Sequence, residues 1–163
     1  MRAVLFLLIS LTLAEPVSAQ RQSLGIFGQW GAFREAEGNR CFAIAEPQPQ
    51  RQRREWKPFA SVGYWPGRNA KGQVHFRLSR MKRPGSVLIL RIDDRTFQLA
   101  GGGINAWAPD TRSDGEIVGA MRSGIGMTLE TRSERGGLIR DSYQLRGAAT
   151  AIDAAAIACA RRG

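Results

Sequence analysis

The chain contains two cysteines, Cys41 and Cys159, which lie far apart in the sequence. Two cysteines allow only one intramolecular pairing. If they bond, most of the chain is closed into one covalent loop, and the segment around Cys41 must fold against the C-terminal segment. Whether they bond depends on the compartment, because disulfides persist mainly outside the reducing cytoplasm.

The N-terminal segment has the pattern of an export signal. Arg2 supplies a positive charge, residues 3–13 are almost entirely apolar, Pro16 breaks the run, and residues 17–19 are small enough for a signal peptidase. The alternative is a membrane anchor, but the apolar run is too short to span a bilayer. We therefore predict a cleaved signal peptide at residues 1–19 and a single all-β periplasmic domain at residues 20–163.

In an oxidising compartment the cysteines are predicted to form a Cys41–Cys159 disulfide. The alternative is a pair of free, buried thiols. In the chain-entropy model, a bond closing a loop of this length contributes about 4–5 kcal/mol to the stability of the domain. We therefore predict that the segment around Cys41 holds the C-terminal segment, and that the aromatic residues of residues 27–45 lie in the core.

Apolar residues alternate with polar ones over many short segments, which is typical of strands. In residues 40–46, Phe42 and Ile44 face one way, whereas Cys41, Ala43 and Ala45 face the other. We predict about seven or eight strands, at 27–33, 40–46, 59–65, 73–80, 86–92, 96–99, 127–132 and 138–145. No β-α-β alternation is present, so the expected fold is mainly β, an antiparallel β-sandwich.

Two short helices are expected beside the strands. Asp114 is placed to cap an inserted helix that ends near Gly124. Thr150 and Asp153 have the spacing of a capping box, which predicts the start of an Ala-rich C-terminal helix that carries Cys159.

The sequence resembles the invasion-associated locus B family of exported bacterial proteins. The resemblance lies in residues 27–30 after the leader, Cys41, residues 120–124, residues 143–147 and residues 149–159. It covers most of the chain after the leader. It implies an all-β periplasmic domain without a defined catalytic centre, which acts through contacts with a protein or with the cell envelope.

Enzymatic groups are sparse in the sequence. His75 is the single histidine and is expected on the polar face of a strand, with no nucleophile motif beside it. A zinc site needs three or four ligands, and the two cysteines are expected to bond each other. Gly101, Gly102 and Gly103 lack the Lys and Ser/Thr of a phosphate-binding loop. We therefore expect no catalytic residues, no metal and no cofactor, and hence no enzyme.

The formal net charge is +10, and arginine supplies most of the positive charge. Such a charge favours polyanions, although arginines spread along the chain are also typical of a solvated surface. One basic stretch carries a candidate anion site, at Arg51, Arg53, Arg54, Trp56, Lys57 and Arg68. Its guanidinium groups and Trp could bind lipopolysaccharide or acidic polysaccharide, and the alternative is a solvated loop whose Trp56 packs on the domain.

The expected partner is therefore an envelope protein or an anionic component of the envelope. Export argues against a nucleic-acid partner, and no later segment is long enough to span a membrane. We expect the protein to be monomeric.

Overall fold

The computed structural model describes residues 21–35, 37, 39–50, 54–68 and 70–160, so the predicted leader lies outside the described residues. The described part forms ten β-strands, two α-helices and one turn of 3-10 helix at Pro66–Arg68. The strands are β1 (Arg21–Phe27), β2 (Trp30–Glu35), β3 (Arg40–Ala45), β4 (Phe59–Trp65), β5 (Ala70–Arg77), β6 (Leu88–Ile92), β7 (Arg95–Gly102), β8 (Asn105–Trp107), β9 (Gly126–Arg132) and β10 (Leu138–Gln144). The helices are α1 (Thr111–Ser123) and α2 (Ala148–Ala160).

The prediction of a mainly β, antiparallel fold is confirmed. The pairing order is β1-β2-β3-β4-β5-β8-β7-β6-β9-β10, and every pair is antiparallel. The structure has ten strands rather than seven or eight, because no strand was predicted over residues 21–26, which belong to β1, or over residues 105–107, which form β8. The predicted sandwich is not confirmed, because all ten strands pair in one continuous order and form a single sheet. This sheet is not closed, since β1 and β10 are its two end strands.

One face of the sheet forms the core. Alternate residues of the strands are buried, as in β6, where Leu88, Leu90 and Ile92 are at most 2% exposed. The sheet bends enough to bring β5 and β10 together across this core, where the ring centroids of Phe76 and Tyr143 lie 6.3 Å apart. Strands at distant places in the pairing order therefore share one set of buried side chains.

Helix α1 packs beside β5, and its start differs from the prediction. Asp110, not Asp114, is the N-cap residue, and its carboxylate accepts a hydrogen bond from the backbone N–H of Ser113 at 2.7 Å. Asp114 instead accepts one from the backbone N–H of Val74 in β5 at 2.8 Å. The predicted end of the helix at Gly124 is confirmed.

Helix α2 packs against β1 to β4 and contacts α1. It begins at Ala148, two residues before the predicted capping box. Asp153 does not cap it but pairs with Arg122 of α1 through contacts of 2.5 and 3.1 Å. Neither described helix combines the length and the hydropathy that crossing a bilayer requires.

The predicted disulfide is confirmed, which rules out two free thiols. Cys41 of β3 and Cys159 of α2 are bonded across a sequence separation of 118 residues. Both cysteines are buried, and they form a small cluster with Ala155, against which Tyr64 packs. The bond therefore joins the last turn of α2 to the core face of β3.

The first turn of α2 is joined to the turn between β1 and β2. Trp30 is fully buried, and its indole N–H donates to the carbonyl oxygen of Gln144 at 2.9 Å. The backbone N–H of Gln29 donates to the carbonyl oxygen of Arg146. Gly147 has a φ of +91°, and a Cβ on it would lie 1.8 Å from the carbonyl oxygen of Phe27. Only glycine fits this approach of the two backbones.

Removing the disulfide is expected to destabilise the domain strongly. The double variant Cys41→Ala, Cys159→Ala should lose about 4–5 kcal/mol of unfolding free energy, because the unfolded chain regains the freedom of the open loop. Urea unfolding of the oxidised wild type and the double variant measures this difference. Equal midpoints and equal slopes for the two proteins would contradict it.

Gly147→Ala is expected to lower the unfolding free energy by about 2–4 kcal/mol, since the side chain adds both a clash and an unfavourable backbone conformation. Gly115→Ala is the matched control, because a Cβ there meets nothing within 4 Å. It lies inside α1 and should raise stability by about 0.5–1 kcal/mol. If both variants unfold at the same urea concentration, the close contact at Gly147 has no energetic importance.

Candidate functional site

The predicted basic loop is only partly assembled in the structure. Arg51 and Arg53 lie outside the described residues. The Arg54 guanidinium donates to two backbone carbonyl oxygens, at 3.1 Å to Pro47 and 2.7 Å to Gln48. Arg54 therefore holds the chain that follows β3.

The remaining residues of the predicted site lie apart. Lys57 is exposed before the start of β4, and Arg68 is exposed beyond its end. A strand of seven residues spans about 20 Å. Arg68 is therefore not brought together with Lys57, and anion binding by the loop stays a prediction.

Trp56 lines a cleft of 420 Å³. The other residues around this cleft are Glu55, Arg80, Met81, Ser133, Glu134 and Arg135. Two arginines and two glutamates balance in charge, so the cleft has no net preference for an anion. The Ser133 hydroxyl is buried in this region without a hydrogen-bond partner among the described residues.

A second cleft, of 360 Å³, lies on the sheet face that points away from the core. Five aromatic rings line it and are together called the aromatic face: Phe42, Phe59, Trp65, His75 and Trp107. They come from β3, β4, β5 and β8, which are consecutive in the pairing order. This cleft was not predicted from the sequence.

Ring packing organises the aromatic face. His75 stacks on Trp107 with 5.2 Å between the ring centroids, and Phe59 meets the imidazole edge-on at the same distance. Trp65 covers Gly63, where a Cβ would lie 2.4 Å from the indole. Trp107 is 38% exposed, so its indole is accessible from solvent.

Two arginines at the rim of the aromatic face share one carboxylate. Glu35 pairs with Arg21 at 2.9 Å and with Arg40 at 2.6 Å. The Arg40 guanidinium also lies 4.7 Å from the centre of the Phe42 ring and 5.6 Å from that of Trp65. These contacts hold the guanidinium charge against the rings. Because two arginines share one glutamate, the rim keeps a net charge of one positive unit.

Arg77 adds a third positive charge to this face of the sheet. It is two residues from His75 on β5 and pairs in register with Phe59 and Asn105. Its Nε is buried and has no hydrogen-bond partner, and Arg77 makes no ion pair among the described residues. The Nε of Arg40 is also buried and has no hydrogen-bond partner within the part of the chain that the structure describes. Both guanidinium groups are therefore left with part of their hydrogen-bonding capacity unused by the described residues.

The imidazole of His75 is held neutral by its surroundings. Its Nε2 lies 2.9 Å from the side-chain oxygen of Asn105. Burial lowers the pKa of His75, and it is the largest effect. The hydrogen bond to Asn105 raises the pKa, and the positive charges of Arg40 and Arg77 lower it. At neutral pH the ring is therefore an uncharged aromatic surface.

Within the part of the chain that the structure describes, no three His, Cys, Asp or Glu residues are grouped to hold a metal ion. The buried carboxylate of Asp141 accepts hydrogen bonds from the backbone N–H of Ser79 at 2.9 Å and from the Gln50 amide at 2.7 Å. It anchors the segment after β3 to β10. The expected absence of a catalytic residue, a metal and a cofactor stays a prediction.

One sequence signal could have identified the aromatic face. Cys41, Ala43 and Ala45 alternate with Phe42 and Ile44 along β3. If Cys41 bonds to the C-terminal helix, its side of the strand is the core side, so Phe42 and Ile44 must point away from the core. The aromatic residues of residues 27–45 were expected in the core. Trp30 lies there, whereas Phe42 is buried at 6% exposure but on the opposite face of the sheet.

The fold is similar to that of a solved protein, the invasion associated protein B from Bartonella henselae. The TM-score is 0.63 at 18% sequence identity, and the match covers 86% of this chain and 99% of the other. No protein-family model matches the chain, and no curated protein sequence is similar enough to count as a match. The resemblance to the invasion-associated locus B family is thus confirmed in the fold.

Proposed function

We propose that this protein is an exported, non-catalytic periplasmic domain that acts by binding a protein or another component of the cell envelope through the aromatic face. The observation that carries the proposal is the cleft lined by five aromatic rings on the sheet face opposite the core, in which Trp107 is 38% exposed. Aromatic and arginine side chains are enriched at binding surfaces.

Two further observations support this proposal. The disulfide between Cys41 and Cys159 is of the kind that persists in an oxidising compartment, as expected for a protein with a cleaved leader. The similar fold is that of a protein named for association with invasion. The fold alone is shared, so the proposal extends to envelope contacts and not to invasion.

Trp107→Ala is expected to abolish binding, because it removes an accessible ring from the aromatic face. The experiment cross-links the tagged protein in intact cells and compares the adducts recovered from the envelope fraction. Val87→Ala is the matched control, since Val87 is 55% exposed and does not line the cleft. Thermal unfolding of both variants checks that they fold.

The proposal expects a discrete adduct with the wild type and the Val87→Ala variant and none with Trp107→Ala. An adduct of the same size and yield with a folded Trp107→Ala variant would contradict it.

A second candidate is a binder of lipopolysaccharide or acidic polysaccharide through the basic loop. Trp56 favours it, because its ring lines a cleft next to the loop and offers a face for a sugar ring, while the charges of the cleft itself balance. The double variant Arg51→Ser, Arg53→Ser tests it and keeps Arg54, whose guanidinium holds the backbone of the loop.

Lipopolysaccharide binding by the wild type should weaken steeply with added salt, and the double variant should bind at least about tenfold more weakly. Arg112→Ser with Arg95→Ser, on other exposed parts of the surface, removes the same charge and serves as the control. Equal affinity of the two double variants would refute a specific role of the loop.

A further inference from the structure

We propose that the cleft of the aromatic face binds an acidic sugar residue, a pyranose ring bearing a carboxylate, within an envelope polysaccharide. This inference rests on the proposed function and names a ligand class for the same face. It places the anion site on the sheet, at Arg40 in the lining of the cleft and with Arg77 beside the cleft on the same face, rather than on the basic loop.

The charge of the cleft selects an anion. Arg21, Arg40 and Arg77 lie on this face, and the only carboxylate that pairs with any of them in the described part of the chain is Glu35. Both oxygens of Glu35 are already engaged. The guanidinium groups of Arg40 and Arg77 each have a buried Nε with no acceptor among the residues that the structure describes. A ligand carboxylate beside them supplies the missing negative charge where water is partly excluded, so the attraction exceeds that at a solvated surface.

The rings of the cleft suit a sugar. The face of an aromatic ring carries partial negative charge and attracts the apolar C–H groups on one side of a pyranose ring. Trp107 and the neutral His75 ring stacked on it provide such a platform. At the edge of the cleft, the exposed amide of Gln73 provides both a donor and an acceptor for sugar hydroxyls.

The size and shape of the cleft favour a small ligand unit over a flat partner. A volume of 360 Å³ lies at the lower end of the range for small-molecule sites. The phosphate of a lipid headgroup such as phosphatidylglycerol has no ring that could stack on the indole of Trp107 or the imidazole of His75. The aromatic lining therefore favours the sugar, and the membrane becomes an outcome to test.

The experiment titrates the mature protein with a galacturonic acid trimer and with the neutral galactose trimer, using calorimetry. The acidic trimer should bind at least about tenfold more tightly than the neutral one, and added salt should weaken it. Arg77→Gln should weaken binding of the acidic trimer about tenfold. Because Arg77 makes no ion pair among the described residues, this change should leave the fold intact.

Two variants complete the test. Arg135→Gln removes the same charge at the Trp56 cleft and should leave the affinity unchanged. Gly63→Ala displaces Trp65 without changing any charge and should weaken binding of the acidic trimer. Circular dichroism and thermal unfolding of each variant show whether a loss of binding comes from the cleft or from misfolding.

Three outcomes would overturn the inference: equal affinity for the neutral and acidic trimers, an equal loss in Arg135→Gln and Arg77→Gln, or binding to phosphatidylglycerol vesicles but to neither trimer. If the trimers fail while Trp107→Ala still abolishes the cross-linked adduct, the sugar is wrong and the envelope-binding function stands. If both fail, the aromatic face is not a binding site.

Discussion

Helix α2 is fastened to the sheet at both of its ends, and the arrangement of the domain depends on this. At its start, the carbonyl oxygen of Phe27 approaches Gly147 so closely that no side chain fits there. At its end, Cys159 is bonded to Cys41 of β3. The helix thereby covers the first strands, which an open sheet would otherwise leave exposed on their core side. A helix of 13 residues is marginal alone, so packing and the covalent bond hold it in place.

Fastening α2 also decides which side of β3 faces outward. Once the core side carries Cys41, successive side chains must alternate, and Phe42 is placed on the outer face with Arg40. The same alternation in β5 buries Val74 and Phe76 and turns His75 outward. The core and the aromatic cleft are therefore two sides of the same strands. A shift of one residue in the pairing register would exchange the two faces of a strand, so that neither the core nor the aromatic cleft would form.

Local patterns predicted the elements well and their ends less well. The bounds of β4 and the end of α1 at Gly124 agree with the prediction, because alternating side chains and a terminal glycine are local signals. The helix starts were wrong, since Asp114 and Asp153 have partners on other elements: the backbone of Val74 and the guanidinium of Arg122. A capping residue can be recognised by spacing only when no tertiary partner competes for it.

By itself the sequence determined a mainly β, antiparallel domain and one possible disulfide. These follow from alternation within short segments and from the presence of only two cysteines. The tertiary structure alone decided which aromatic and basic side chains meet. Strands β3, β4, β5 and β8 contribute rings to one cleft because they are neighbours in the sheet, although β8 is distant from β3 in the sequence. Strand order depends on long-range pairing and on how α2 covers the core, and no local pattern of residues encodes it.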